Sequence, residues 1–131
     1  MGQEKTKAEV DLTAINKLKE LRQQSKAGGG EKRIAAQHDK GKRTARERVD
    51  SLLDKGSFQE LNGLMVNRHT DFGMDKDKIP GDGMVAGFGK INGRKVCVYA
   101  QDFTVMGGSF GEVAGQKVAR VMDLAMDAGV P

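Results

Sequence analysis

The sequence has 131 residues, 37% apolar and 31% charged, with five Phe, one Tyr and no Trp. That limits it to one domain or part of one, with a modest aliphatic core and room for a partner surface. The first 50 residues hold 13 Lys/Arg against 8 Asp/Glu and the remainder 9 against 10, so the positive character that could attract a polyanion or a phosphate belongs to the first part alone.

Residues 1–10 are polar and expected to fray. "DLTAINKLKELRQQSKAGGG" reads as a helix with Leu12, Ile15, Leu18 and Leu21 on one stripe, ended by Gly28-Gly29-Gly30. "EKRIAAQHDKG" reads as a shorter helix with Ile34 and Ala35 inward, stopped near Gly41. "TARE" predicts a capping box between Thr44 and Glu47. The helix it opens lines one face with Val49, Leu52 and Leu53 and closes at Gly56, with Arg46 and Arg48 away from that face.

After Gly56 the period shifts towards two. "SFQEL" and "LMVNRH" are short strand candidates, and "DFGMDKDKIPGDG" is a loop with a turn at Pro80-Gly81. "MVAGFGKI" and "RKVCVYAQ" flank Asn92-Gly93, a hairpin signal because a type I′ turn needs positive φ at both central residues. The second of these strand runs is expected to continue to about Val105. Gly107-Gly108 then turn the chain, and "SFGE" offers a second capping box from Ser109 to Glu112. Ala114, Val118, Val121, Met122 and Ala125 recur at helical spacing, Gly129 caps the helix, and Val130-Pro131 reads as the entry to a further strand. Helices, antiparallel strands and then strand–helix–strand entry give an α/β class with an α+β start. A crossover helix needs a second strand, so the sequence is expected to be truncated relative to the natural fold.

Cys97 is the single cysteine, in a strand-like run, and is expected to be a small core residue. No Cys/His cluster has metal-ligand spacing, and His38 and His69 are isolated, so no metal is expected. No apolar run approaches the about 20 residues of a membrane span, and no signal peptide is visible, which points to a cytoplasmic location. "DFG" stands without a phosphate loop or H-R-D segment and is no kinase signal. "GDGMVAGFG" precedes a hairpin, not a helix, and is no dinucleotide fingerprint. There is no Ser/His/Asp arrangement or paired carboxylate site. Gly107-Gly108-Ser109 could offer backbone N–H groups to an anion or could simply be a tight turn. The basic segment from Glu31 to Arg48 could meet phosphate or be a solvated face, and it lacks the aromatic interleaving of a nucleic-acid binder.

"GGGEKRIAAQHDKGKRTARERVDSLLDKGSFQEL", "HTDFGM", "IPGDGMVAGFGKINGRKVCVYAQDFTVMGGSFGE" and "KVARVMDLAMDAGVP" stand in one order and spacing. Together they closely resemble the N-terminal part of biotin-dependent acyl-CoA carboxyltransferase subunits, a family that includes the propionyl-CoA carboxylase β subunit, the methylmalonyl-CoA decarboxylase α subunit and transcarboxylase. The resemblance implies the start of a crotonase-like domain over 28–131, after a variable N-terminal helix over 1–27. It implies transfer of a carboxyl group between biotin and the α-carbon of an acyl-CoA, with biotin carried on a partner chain. It implies a hexamer whose active sites lie between the N-terminal half of one subunit and the C-terminal half of another. The enolate formed on the thioester needs preorganised N–H donors, and biotin itself is thought to supply the base in this family. The family's enolate donors follow the strand that begins at Val130, so no catalytic residue is assigned here and the isolated chain is expected to be inactive. Arg33, Lys40, Lys42 and Arg43 become candidates for the CoA phosphates, with Gly107, Gly108 and Ser109 at the floor of the CoA pocket. The alternatives are a non-catalytic acyl-CoA-binding or assembly module and, further off, a basic nucleic-acid-binding fragment.

Overall fold

The hairpin organises the molecule, a computed structural model that describes residues 7–76 and 78–131. Asn92 and Gly93 both take positive φ, 50° and 78°, and this turn joins β2 (Met84–Ile91) to β3 (Arg94–Gln101) with Ile91 paired to Arg94. The Asp54 carboxylate accepts the backbone N–H of both turn residues at 2.8 Å, so the tip is also clasped from outside. β1 (Gln59–Glu60) adds to the other side of β2, giving an antiparallel sheet of order β1-β2-β3.

The register places Val85 opposite Ala100 and Gly89 opposite Val96, on one face. That face packs on α3 (Ala45–Leu52), and the core there is Ala45, Val49, Leu53, Val85 and Val96. α3 starts on the predicted capping box: the Thr44 hydroxyl accepts from Glu47 N and the Glu47 carboxylate from Thr44 N. It ends sooner than predicted. Leu53 is already extended, because Asp54 N donates to the Lys90 carbonyl while the Asp54 side chain holds the hairpin. Leu52 is exposed, unlike Val49 and Leu53.

α4 (Glu112–Ala128) covers the opposite face of β2 and β3, where Phe88, Cys97 and Leu124 line a cavity of about 290 Å³. Val113, Ala114 and Val121 are buried, whereas Met122 lies open. The predicted Ser109–Glu112 capping box does not form. Gly111 is the N-cap and makes no side-chain cap bond. Ser109 instead ends a 3-10 turn (Met106–Gly108), its N–H spent on the Met106 carbonyl. Gly129 is the left-handed C-cap, as read from the sequence. Pro131 carries its carbonyl to the outer side of β3, accepting from Cys97 N at 2.8 Å. Cys97 is half-buried and stands outside the core cluster, contrary to expectation.

β3 stops four residues before the predicted Val105. Asp102 Oδ1 accepts both Thr104 N and Thr104 Oγ1, and this side-chain turn displaces the strand. "LMVNRH" is not a strand either: Asn62 has φ 56° and its carbonyl takes Met65 N in a turn. The loop from Asp71 contains a 3-10 stretch (Asp71–Lys76), and Asp82 N donates to the Ile79 carbonyl across the Pro80-Gly81 turn.

α1 (Lys7–Lys26) and α2 (Glu31–Asp39) precede these layers. The fraying expected of residues 1–6 lies outside the described residues, and Lys7–Val10 are helical. The α1 stripe is not a core face: Leu12, Ile15 and Leu18 are 58%, 46% and 38% exposed. α2 buries no residue, and Ala35 is exposed where an inward position was expected. The joint between α1 and α2 is nonetheless tight. A Cβ on Gly29 would sit 1.8 Å from the Thr104 carbonyl oxygen, so only glycine lets the two backbones approach. Gly29 N donates to Thr104 Oγ1 there.

Candidate functional site

The connector between α2 and α3 carries three cations in four residues, Lys40, Lys42 and Arg43. Such a run repels itself and needs fastening. Gly41 N donates to the His38 carbonyl and Lys42 N to the Gln37 carbonyl, which closes the end of α2. Arg43 Nη1 donates to Ser51 Oγ on α3 at 2.9 Å. At the far end His38 Nε2 lies 2.8 and 3.0 Å from the two Glu47 oxygens. A carboxylate can only accept, so the imidazole N–H donates. Glu47 is held below its usual carboxyl range, first by that bond and then by Thr44 N–H, with desolvation opposing.

These cations rim a cleft of about 710 Å³, lined by Lys40, Lys42, Arg43, Arg48, Phe103 and Gly107 among others. Among the described residues no carboxylate lines it. A concave surface ringed by four cations focuses a positive field and suits a phosphate. Arg43, Arg48 and Phe103 also line an adjoining groove of about 850 Å³ along β3, with Leu52, Tyr99 and Phe110. Tyr99, Phe103 and Phe110 are exposed there. Cationic cleft and aromatic groove therefore share a wall, an arrangement that can take a phosphate on one side and a flat ring on the other.

Of the seven residues named from the sequence, the structure brings Lys40, Lys42, Arg43 and Gly107 together. Arg33 does not line the cleft; its stem lies against Gly29 at the α1–α2 joint. Gly108 N and Ser109 N donate to the carbonyls of Val105 and Met106, so neither N–H is free for an anion. The Gly108 carbonyl accepts from the Gln101 side chain, and a Cβ on Gly108 would meet the Phe103 ring at 2.9 Å. Gly108 thus lets the chain turn against Phe103, one wall of both cavities. Sequence reasoning missed the aromatic wall, and it left Arg48 inside the basic segment without naming it among the phosphate candidates.

Lys117 was missed as well. It is 1% exposed, and its ammonium donates to the carbonyls of Gly81, at 2.8 Å, and Met84. Burial lowers its pKa to about 8; Glu60 and Asp82 oppose the drop, and Arg46 adds to it. Arg46 is paired with Glu60 at 2.8 Å and also donates to Ser25, tying α1 to α3 and β1. The signal for Lys117 was present: it falls with Ala114, Val118 and Val121 on one helical stripe.

The family described as the carboxyl transferase domain matches residues 36–131. The chain is 53% identical over 117 residues to the propionyl-CoA carboxylase carboxyltransferase subunit of Haloferax mediterranei, covering 89% of this chain and 23% of that protein. It is 50% identical over 117 residues to the methylmalonyl-CoA decarboxylase subunit alpha of Veillonella parvula, with the same two coverages. The crystal structure of transcarboxylase 12S with methylmalonyl-coenzyme A and methylmalonic acid bound superposes with a TM-score of 0.85 at 50% identity, over 88% of this chain and 22% of that one. The chain thus spans under a quarter of the length of these relatives. The expected fold, the N-terminal portion of a crotonase-like carboxyltransferase domain, is the one these neighbours have.

Proposed function

The chain belongs to the carboxyl transferase domain family, and we propose that it forms the acyl-CoA entry layer of a longer carboxyltransferase subunit. In that reading the whole protein moves a carboxyl group between biotin and the α-carbon of a short acyl-CoA, propionyl-CoA or methylmalonyl-CoA. The observation that carries the proposal is the shared wall of the two cavities, where Arg43 and Arg48 stand between a cationic cleft and an aromatic groove. Lys40, Lys42, Arg43 and Arg48 attract the CoA phosphates, and Tyr99, Phe103 and Phe110 offer faces to its base. Gly107 lines the floor, and Gly108 shapes it through Phe103. Arg33 and Ser109 do not line the cleft, and the Ser109 N–H is already spent on Met106.

Forming an enolate on the thioester places charge on its carbonyl oxygen, which preorganised N–H donors must meet. The spent N–H groups of Gly108 and Ser109 do not suit that task, so none of these residues is assigned to catalysis. When bound, biotin supplies the carboxyl group. We place it on a carrier domain of a partner biotin carboxylase or carrier subunit, and the working assembly as a hexamer. The relative described with hexamer assembly, transcarboxylase 12S, supports the latter. No helix among the described residues is long and apolar enough to cross a membrane, and we place the protein in the cytoplasm. We set the boundary between the variable N-terminal helix and the domain proper at Ala27/Gly28.

Calorimetric titration with CoA tests the site. Saturable binding that weakens as salt screens the cations is expected. Absence of saturable binding at millimolar CoA refutes it. For the longer protein, carboxylation of propionyl-CoA with a carboxylated biotin carrier is the matching assay.

A further inference from the structure

We infer that His38 is a positioning residue: its bond to Glu47 clasps the α2–α3 connector, so that Lys40, Lys42 and Arg43 face a phosphate-bearing ligand together. The inference rests on reading the cleft as a phosphate site. His38 is not among the residues that line the cleft, so its effect on the ligand passes through the connector.

Three cations within four residues repel one another, and each has a long flexible stem. α2 buries no side chain that could anchor it from below. What remains is the hydrogen bonding at its two ends. At the first end Gly29 is held by Thr104. At the second, both Glu47 oxygens lie within 3.0 Å of His38 Nε2, while Oε2 of the same carboxylate also accepts Thr44 N. One carboxylate thereby joins the last turn of α2 to the first turn of α3, and the connector is the arc it closes. Arg43 is also held to α3 by Ser51, so without the clasp it is Lys40 and Lys42 that sample arrangements pointing away from Arg43. Apparent affinity then falls in proportion to the fraction that remains competent.

The experiment measures the full chain, as wild type, His38→Ala and His38→Gln. Amide hydrogen exchange at Gly41 and Lys42 reads the arc without ligand. Titration with CoA and with adenosine 3′,5′-bisphosphate at two salt concentrations reads the site. His38→Ala is expected to speed exchange at Gly41 and Lys42 about tenfold, with the α4 amides unchanged. The same variant is expected to weaken both probes about fivefold, with the salt dependence unaltered because the number of cations is unaltered. His38→Gln restores an N–H donor and is expected to recover most of both.

Unchanged exchange in His38→Ala overturns the clasp whatever the ligand does. Faster exchange with wild-type affinity overturns the link from clasp to binding and leaves the phosphate site standing. A reduced salt dependence assigns His38 a direct charge and overturns the positioning role. If wild type binds neither probe, the phosphate reading fails and the inference falls with it.

Discussion

Raising the pH from 7.5 to 10.5 is expected to stabilise the chain through Lys117. The folded-state pKa is about 8 against an ordinary 10.5, with burial the first cause. Below about 8 both states are protonated, and the cost of burying the ammonium is fully present. Between the two values the unfolded chain binds the proton and the folded chain does not, so stability rises with pH. Above 10.5 both are neutral and the rise is complete. At 1.36 kcal/mol per pH unit the whole step is at most about 3 to 4 kcal/mol. The side chain is 1% exposed, so solvent screening removes little of it. The assay is urea denaturation followed by circular dichroism at half-unit intervals of pH, for wild type and for Lys117→Met. The variant keeps the stem and lacks the proton, so subtracting its curve removes the other lysines. A difference curve that climbs by about 2–3 kcal/mol between pH 8 and 10.5 is expected. A flat difference curve refutes the argument, because it means the ammonium pays no burial cost.

Gly29→Ala places a Cβ 1.8 Å from a backbone oxygen and should cost about 3 kcal/mol, read as a lowered thermal midpoint. Asp54→Ala removes two acceptor bonds from the Asn92-Gly93 turn. About 2 kcal/mol of stability should go with them, and exchange of the Gly93 amide should quicken. Thr44→Val breaks the capping box of α3 at a cost of about 1 kcal/mol, measured by the same melt. Arg48→Ala should weaken CoA about tenfold and reduce its salt dependence, as befits a direct cationic contact. An unchanged CoA titration for Arg48→Ala counts against the shared wall as the binding feature.

Local rules carried the sequence reading where the deciding contacts are a few residues apart. Asn92-Gly93 and the Thr44–Glu47 box behave as written, since backbone φ and a side chain three residues away determine both. They failed where another group competes, near or far. Ser109 and Glu112 have the right spacing, but Ser109 N is taken by the Met106 carbonyl and Gly111 stands at the N-cap, so the box does not form. The Glu112 oxygen meets Gln116 instead. The helix over Thr44–Gly56 ends early because Asp54 is recruited by a hairpin 38 residues away. The same distinction governs the site. The cations of residues 40–43 are visible as a run, and their attraction for phosphate follows from charge alone. The aromatic wall is not visible, because Tyr99, Phe103 and Phe110 reach it only after the chain folds β3 beside α3. Lys117 carried a legible signal, a cation on an apolar stripe, that composition alone would assign to solvent.

A helix that sends nothing into the interior is tethered like a gangplank, at Gly29 on one side and at His38 on the other. Its outer positions can therefore be rewritten at little cost to the rest of the molecule. A fluorophore attached through cysteine at Ala35, with Cys97 replaced by Ser, would ride on that span and brighten or dim as the span shifts. The protein would then serve as its own reporter for whatever occupies the neighbouring cleft.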